Sequence, residues 1–552
     1  MKHRYLEDAV NRTARLSIEA ELTPSRFAEI GRPAGAYRRS EGAVVALVSD
    51  FEPFYWPARA TYEGHQLRHR ISLYSADLHT RLGVFDGARY PINDVAFHPI
   101  QPVVAVATGA YDGGWSFEGE LFLWNWETSQ AVKVLSENRQ VSRVRFRDAD
   151  TLALLLRPRD DQEYGEDASF DTYIGGTLAD LRAFQELGLR EGDTDPRISG
   201  FAPVDPESLQ LCPGSFKPED FDRQWRQELG TTDFEPRHRV WDVMWLGLDR
   251  LLAVHDRCHL ESWSPTGRRE RIIQGNGHGV QLLRSAQTAF VHVLERAHAF
   301  TGNNDRSTLL EFRDEELVPV ADFDHGVLFS VDRAGRFLCR NTGDVMRKRE
   351  QGDAVIDSSG RCLLARDLGH YDCFNHYLRI DGADELYFLR GTPATSHKSK
   401  VLCRIDPRGS VEECFRWDTE ERHLMAGTAC LLSAGMLVRA YRVYDPNPLR
   451  FSACIEAQEM ATGRRRWRRS VSALTTCLTP IEGHPWLIYA LTDGHVGVLH
   501  AETGDLAFET KLHRDGVSTV VLSMCALGDR IAFGTMDGRL LLLRIEERTM
   551  AP

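Results

Sequence analysis

The stretch INDVAFHPIQPVVAVATGAYDGGWSFEGELFLWNWETSQAVKVL, residues 92–135, decides the fold class of this chain. It contains four short apolar runs, DVAFH, VVAVAT, ELFLWNW and AVKVL, separated by segments rich in Gly, Pro, Asp and Glu. Apolar runs of this length between turn residues are typical of β-strands. The stretch therefore predicts a sheet of four strands within about 40 residues.

The same pattern of four apolar runs recurs along the chain. Residues 240–273 give VWDVMWL, RLLAVHD, CHLESWS and RRERIIQ, and residues 473–512 give a further set. Other units begin near Ala43, Val141, Val280 and Thr428. In residues 326–418, LFSVDRAGRFLCRN and VIDSSGRCLLARD either open two units or belong to one expanded unit. Repeats of this kind predict an all-β chain, a β-propeller of seven or eight blades.

The last unit, residues 517–547, contains only three runs, VSTVVLSMC, RIAFGTMD and GRLLLLRIE. A fourth strand from the other end of the chain would remove the exposed edge of that sheet. The segment RLSIEAEL, residues 15–22, is suited to this role. We therefore expect an N-terminal segment, 1–42, with a closing strand, followed by a propeller over 43–547.

Several motifs resemble those of the WD40 and quinoprotein-like (PQQ-like) superfamily of β-propellers, and the chain looks like a divergent, bacterial-type member. Thr108, Asp112 and Trp124 are the nearest match to the WD40 pattern. AQEMATGRRRW, residues 457–467, fits the quinoprotein pattern A-x-x-x-x-TG-x-x-x-W from Ala457 through Thr462, Gly463 and Trp467, and HAETGDLAF, residues 500–508, fits its TG-x-x-x-W part with Phe508 in the tryptophan position. This resemblance implies that Trp467 wedges between neighbouring sheets. It does not imply a quinone cofactor, because the adjacent cysteine pair of those dehydrogenases is missing, and we expect no cofactor.

Five arginines surround that tryptophan in TGRRRWRRS, residues 462–470. On an outermost strand a basic edge is solvated and discourages pairing with other molecules. Clustered arginines also suit phosphate contacts, so the alternative is a patch for an anionic partner such as a nucleic acid. The residues concerned are Arg464, Arg465, Arg466, Arg468 and Arg469.

Residues 159–238 are acidic and interrupt the unit that begins near Val141. They hold 19 acidic and 8 basic side chains, whereas the chain as a whole has a net charge of −13. PEDFDRQWRQEL, residues 218–229, predicts a helix with an apolar stripe of Phe221, Trp225 and Leu229. LADLRAFQEL, residues 178–187, predicts a weaker one. We interpret 159–238 as a partly helical insertion that either packs on its own domain or docks a partner through that stripe.

Bulk features favour a cytoplasmic protein. The N-terminus has no apolar core of a signal peptide, and no run of about eighteen apolar residues occurs, so we expect no membrane association. The eleven cysteines form no CxxC pair and read as reduced core residues. The examples that lie in apolar runs are Cys339, Cys362, Cys403, Cys430, Cys454 and Cys477.

Two groups of polar residues could be mistaken for metal sites: HDRCH, with His255, Asp256, Cys258 and His259, and GHYDCFNH, with His370, Asp372, Cys373 and His376. Neither has a second pair of ligands nearby in sequence, so we expect no metal. QGNGHGV, residues 274–280, lacks the spacing of a dinucleotide-binding loop. No GxxxxGK[ST], HExxH or GxSxG motif occurs, and no catalytic residue is predicted.

The preferred hypothesis is a non-catalytic scaffold that holds other proteins of a cytosolic multi-component assembly. By analogy with propellers that it resembles, such an assembly could contain an ATPase or a kinase. One alternative is an enzyme or small-ligand binder that uses the propeller funnel with His370, Asp372 and His376. The other is an anionic-partner binder that uses Arg464 to Arg469.

Overall fold

The structure is a computed structural model. It describes residues 12–23, 27–31, 33–39, 43–51, 67–111, 117–135, 139–158, 173–179, 198–203, 237–256, 258–285, 288–295, 306–341, 352–369, 378–380, 383–391, 399–418, 424–425, 428–432, 435–443 and 452–549. Every regular element in these ranges is a β-strand, and no helix occurs among them. The chain divides into two compact units. The larger comprises Met1–Pro24, Pro53–Glu63 and Arg237–Pro552, and the smaller comprises Ser25–Glu52 and Gly64–Pro236.

The first strand, β1 (Arg12–Glu21), belongs to the larger unit, and the next fourteen form the smaller one. Three four-stranded antiparallel sheets make up the smaller unit, together with a short hairpin. The first contains β2 (Pro33–Arg38), β3 (Val44–Asp50), β4 (His69–Ser75) and β5 (Arg81–Ala88). The second contains β6 (Ile92–Phe97), β7 (Val103–Thr108), β10 (Leu121–Asn125) and β11 (Gln130–Lys133), with the hairpin β8 (Ala110–Tyr111) and β9 (Phe117–Glu118) between β7 and β10. The third contains β12 (Val141–Phe146), β13 (Thr151–Leu156), β14 (Ile174–Ala179) and β15 (Ile198–Pro203).

The larger unit contains seven sheets among the residues that the structure describes. The first three are β16 (Val240–Leu246), β17 (Arg250–His255), β18 (Cys258–Trp263) and β19 (Arg269–Gln274); β20 (His278–Ser285), β21 (Thr288–Leu294), β22 (Ser307–Arg313) and β23 (Glu316–Phe323); and β24 (Val327–Val331), β25 (Phe337–Asn341), β26 (Asp353–Ile356) and β27 (Cys362–Arg366). The next two are β28 (Leu386–Gly391), β29 (Ser399–Ile405) and β30 (Val411–Asp418); and β31 (Leu424–Met425), β32 (Ala429–Leu432), β33 (Met436–Val443), β34 (Ser452–Glu459) and β35 (Arg465–Val471). The last two are β36 (Thr475–Pro480), β37 (Trp486–Leu491), β38 (His495–His500) and β39 (Leu506–Lys511); and β42 (Val521–Leu527), β43 (Arg530–Thr535) and β44 (Leu540–Thr549) with β1, after the hairpin β40 (His513–Arg514) and β41 (Val517–Ser518).

Buried apolar side chains join consecutive sheets of the larger unit. Leu283 and Phe290 pack with Phe329 and Phe337 of the next sheet, and similar clusters join the sheets that follow. The last sheet in turn packs on the sheet of β16, because Val240 shares a cluster with Leu540 and Leu542. The core is therefore divided into layers between faces of neighbouring sheets.

The strand pattern predicted from the sequence is confirmed in the four units of 92–135, 240–273, 473–512 and 517–547. The described residues contain ten sheets of three or more strands, which exceeds the seven or eight blades predicted. Part of the difference lies in 326–418. LFSVDRAGRFLCRN and VIDSSGRCLLARD form the two halves of one sheet, β24 to β27, and β28 to β30 form another. The blade number of a closed ring stays a prediction.

The segment proposed as the missing strand of the last unit does occupy that position. β1 pairs antiparallel with β44, with Leu16 opposite Ile545 and Ile18 opposite Leu543. The outer edge of β44 is thereby covered, which removes an unpaired row of backbone groups.

The interpretation of 159–238 as an insertion after the second strand needs correction. β14 and β15 lie inside it and complete the sheet of β12 and β13. Leu178, predicted to begin a helix, is buried in β14, where burial alternates between neighbouring residues as in a strand. Residues 181–187 and 218–229, including Phe221, Trp225 and Leu229, lie outside the described residues.

The cysteine prediction is confirmed in four of the six examples and wrong in one. Cys339, Cys403, Cys454 and Cys477 are buried and free, and Cys430 is half-buried. Cys362 is exposed. It lies on β27, the last strand of its sheet, where most side chains are exposed.

Trp467 lies between two sheets, as the resemblance implies. It is buried against Leu499 and Ala501 of the following sheet, and its indole Nε1 donates a hydrogen bond of 3.0 Å to the carbonyl of Ala501. Gly504 has a φ of +75°, and a Cβ built there would lie 2.6 Å from the Trp467 ring. The indole can occupy this position only because residue 504 has no side chain.

We expect Gly504→Ala to destabilise the protein by about 2–4 kcal/mol, because positive φ strain and a clash with a packed ring add up. Gly516→Ala is the matched control, because Gly516 has a φ of +77° and a Cβ added there would meet no atom within 4 Å. The control should cost about 1 kcal/mol. Urea unfolding of both variants measures the difference. Equal losses of stability would contradict the close packing of Trp467 against Gly504.

Candidate functional site

The first strand of a sheet is here called its leading strand, and many leading strands carry a recurring irregularity. Where β2, β6, β12, β16, β20, β36 and β42 pair with the following strand, the register shifts within the first four residues. Such β-bulges re-aim the side chains beside them. In β6, β16, β20, β36 and β42 a polar side chain at or just after the bulge reaches the leading strand of the next sheet.

These cross-sheet hydrogen bonds use different residue types for the same purpose. Asp94 accepts from the Val144 N–H at 3.0 Å in the smaller unit. In the larger unit the corresponding bonds are Leu282 N–H to Asp242 at 3.0 Å, Phe329 N–H to Gln281 at 3.3 Å, Thr476 hydroxyl to Val521 carbonyl at 2.5 Å and Ser523 hydroxyl to Val240 carbonyl at 3.0 Å. Each bond reaches a backbone group on a strand at the edge of the neighbouring sheet.

A cavity of about 320 Å³ lies among leading strands of the larger unit. Asp242 and Arg379 are its charged pair: the Arg379 guanidinium donates to the Asp242 carboxylate at 2.9 Å and to the Leu282 carbonyl at 2.6 Å. Thr476 also lines this cavity and donates to backbone carbonyls. Asp242, Arg379 and Thr476 therefore hold strands together.

Cys430 is a thiol of the same cavity. Burial raises its pKa to about 12. The thiolate is the nucleophilic form, so this cysteine is poorly suited to covalent catalysis at neutral pH.

A second cavity, of about 400 Å³, lies among β2, β6 and β12 of the smaller unit. Five arginines line it together with two carboxyl groups, Asp94 and Asp148. The arginines are Arg38, Arg39, Arg143, Arg145 and Arg147. Sequence reasoning missed them, although their signal is visible as alternate arginines in RVRFR, residues 143–147.

Asp94 is the half-buried carboxyl of this second cavity. Burial raises its pKa to about 6, against the lowering effects of the Val144 N–H bond and of Arg143. Asp94 forms no ion pair among the described residues, in contrast to Asp242 with Arg379. Burial and the Asp94 charge also raise the pKa of Tyr37 above its ordinary range.

Three of the five arginines predicted as a possible basic patch lie against acidic neighbours. Arg464 and Arg466 each lie 2.7 Å from Glu459, and Arg465 lies 3.8 Å from Glu456. Hydrogen bonds from Arg464 and Thr462 lower the pKa of Glu459 to about 2. Two carboxylates of β34 therefore counter part of the positive charge of this strand, and one of them, Glu456, also pairs with Arg439 at 3.3 Å.

The other two arginines of that strand contact neutral groups. Arg468 Nε lies 3.3 Å from the Cys454 sulfur, and Arg469 lies 3.5 Å from the Gly504 carbonyl.

The polar residues of HDRCH have structural partners. Asp256 accepts from the Trp241 indole at 2.7 Å and from Arg239 at 2.8 Å. Burial favours a higher pKa for Asp256, but Arg239 and His278 outweigh it and hold the pKa well below its usual range. His255 lies 3.4 Å from Glu261.

Cys258 and His259, the other two residues of this group, contact backbone carbonyls: the Cys258 sulfur lies 3.5 Å from that of Ile273, and His259 lies 2.8 Å from that of Asn276. His370, Asp372, Cys373 and His376 lie outside the described residues.

No protein-family model matches the sequence, and no curated protein matches it. Within the described ranges, no helix has the length and apolar character that crossing a bilayer requires.

We expect Asp242→Ala to destabilise the protein by about 2–4 kcal/mol, because it leaves the Leu282 N–H and Arg379 without their shared acceptor. Asp529→Ala is the control, since that carboxyl is exposed and lies 3.5 Å from Arg544. The control should cost less than about 1 kcal/mol. Chemical unfolding of both variants measures the difference, and an equally small loss for Asp242→Ala would show that the bond carries little energy.

Asp94 should make stability depend on pH. Its folded pKa of about 6 exceeds the ordinary value of 3.8. Protonation therefore favours the folded state, and this contribution is full below pH 3.8 and is lost as pH rises through 6. Relative to wild type, Asp94→Asn should thus become more stable from pH 4 to pH 7, by up to about 3 kcal/mol.

Thermal unfolding of Asp94→Asn and wild type across this pH range measures the effect. Asp148→Asn is the control for removing one negative charge, because the Asp148 carboxyl is exposed and lines the same cavity. A pH-independent difference between Asp94→Asn and wild type would contradict the raised pKa.

Proposed function

We propose that this chain is a non-catalytic protein–protein interaction scaffold of a cytosolic multi-component assembly. The observation that carries the proposal is the use of polar side chains in the larger unit's cavity. Asp242, Arg379 and Thr476 are engaged in bonds between strands. A cavity whose polar groups stabilise the framework supports a rigid platform better than a centre of reaction.

We further propose that the larger unit is a seven-bladed β-propeller closed by β1. The packing of the last sheet on that of β16 supports this, as does the Ser523 to Val240 hydrogen bond between their leading strands. The resemblance to WD40 and PQQ-like propellers is supported by the Trp467 and Gly504 contact. Rings of this kind commonly present extended surfaces to several partners at once.

The proposed partner is another protein of a multi-component assembly. We retain an ATPase- or kinase-containing system as the proposed context, by analogy with similar propellers. The apolar stripe of Phe221, Trp225 and Leu229 is the proposed anchor, because aromatic side chains dominate binding energy at protein interfaces.

The two alternatives have less support. A funnel enzyme would need a reactive group, and the thiol of Cys430 has a pKa of about 12. An anionic partner at the arginine strand would compete with Glu456 and Glu459 for the same guanidinium groups.

The proposal is tested by affinity purification of the tagged full-length chain from its native cells at low and physiological salt. Wild type should co-purify a stoichiometric protein partner. Phe221→Ala/Trp225→Ala/Leu229→Ala should lose that partner, because the anchors are removed. Recovery of the chain alone at every salt concentration would overturn the scaffold.

Val318→Ala/Leu363→Ala/Leu506→Ala is the matched control for this experiment. It removes three large apolar side chains from exposed strand positions, at 38%, 45% and 39% exposure. It should retain the partner. Substitution is preferable to deleting 159–238, since a deletion would also remove β14 and β15.

A further inference from the structure

The cavity of the smaller unit has a charge balance unlike that of the chain. Five arginines and two carboxyl groups line it, so its formal charge is +3, while the whole chain carries −13. The carboxyl groups are also partly engaged: Asp94 accepts from the Val95 and Val144 N–H groups, and Asp148 accepts from the Asp150 N–H. The cavity is therefore a local positive region in an acidic protein.

Backbone carbonyls orient two of these arginines without neutralising them. Arg39 donates to the carbonyls of His98 and Pro99 at 3.1 and 3.0 Å, and its buried Nε has no hydrogen-bond partner among the described residues. Arg143 lies 3.5 Å from the Asn93 carbonyl. A carbonyl accepts a hydrogen bond but carries no net charge, so the guanidinium charge stays available to an anion.

Arg147 extends this row at the mouth of the cavity. Its exposed side chain makes no hydrogen bond or ion pair with another described residue. The strand of Arg464 to Arg466 differs, because there Glu456 and Glu459 face the guanidinium groups. Arg147 thus has no carboxylate partner among the described residues, unlike Arg464 and Arg466.

Aromatic side chains complete the lining. Tyr37, Phe97 and Phe146 lie among the arginines, and all three are half-buried. The volume of about 400 Å³ falls within the range of small-molecule sites. Guanidinium groups suit phosphate oxygens, and exposed ring faces or edges suit a planar base.

We propose that this cavity binds a nucleoside di- or triphosphate, with its phosphates against Arg143, Arg147 and Arg39 and its base against the aromatic lining. The proposed site does not depend on the scaffold function. A bound nucleotide would let the scaffold respond to a small molecule. An acidic peptide would use the charge alone. The bases of a single-stranded nucleic acid also stack on aromatic rings, but the cavity has the size of a small-molecule site, and a strand would extend beyond it.

The test is calorimetric titration of the full-length chain with ATP and GTP, with and without Mg²⁺. Tripolyphosphate and adenosine serve as separate probes of the phosphate and base contributions. ATP or GTP should bind, tripolyphosphate should compete more weakly, and adenosine should bind weakest, because the charge supplies most of the affinity.

Arg143→Ser/Arg147→Ser should weaken nucleotide binding about tenfold or more, since two phosphate contacts are lost. Arg464→Ser/Arg466→Ser is the matched control. It makes the same change of charge on a strand already paired with Glu459, and should leave affinity within about twofold. Arg147→Lys keeps the charge and the fold but loses the guanidinium fork, and should show an intermediate loss.

Three outcomes would overturn the proposal. They are the absence of binding by either nucleotide at millimolar concentration, equal losses in the two serine variants, and tighter binding of a polyglutamate peptide or an oligonucleotide than of any mononucleotide. The partner purification described above is unaffected by each of these results, so failure of this site and failure of the scaffold are distinguishable.

Discussion

The structure depends on hydrogen bonds that run from the leading strand of one sheet to the leading strand of the next. A β-bulge near the start of a leading strand interrupts the ladder and turns a polar side chain toward the neighbour. Asp242 and Ser523 show the two versions, an acceptor for the Leu282 N–H and a donor to the Val240 carbonyl. Because apolar packing between sheets is non-directional, these bonds fix the position of one sheet against the next.

Much of this fold could be predicted from the sequence because its signal is local. Short apolar runs and turn residues define β6, β7, β10 and β11 without knowledge of their neighbours. The tryptophan motif also predicts an inter-sheet contact, because Gly504 and Trp467 occupy fixed positions in adjoining repeats. Segments with weaker patterns were misassigned. Leu178 continues an apolar spacing that suits a helix, yet β13 offers it an open edge, and pairing with that edge decides its conformation.

The candidate site was less predictable, because it depends on which charges meet across sheets. Consecutive arginines are conspicuous in RRRWRR, but the strand beside them supplies Glu456 and Glu459. The alternate arginines of RVRFR are less conspicuous, and the neighbouring β6 supplies a carbonyl and a single half-buried carboxyl, Asp94. Sequence spacing gives the number of charges on a strand. Only the pairing of strands and sheets shows which opposite charges lie beside them.

Asp242 and Asp94 make the same kind of cross-sheet hydrogen bond but line two different cavities. Asp242 and Asp94 each accept from the next residue's N–H and from an N–H of the following sheet. In the larger unit Arg379 adds an ion pair to Asp242, so carboxylate and guanidinium neutralise each other within the framework. In the smaller unit no cation pairs with Asp94 among the described residues, and its pKa rises to about 6. Arg39, Arg143 and Arg147 form no ion pair among the described residues, and a bound anion is the group that would balance their charge.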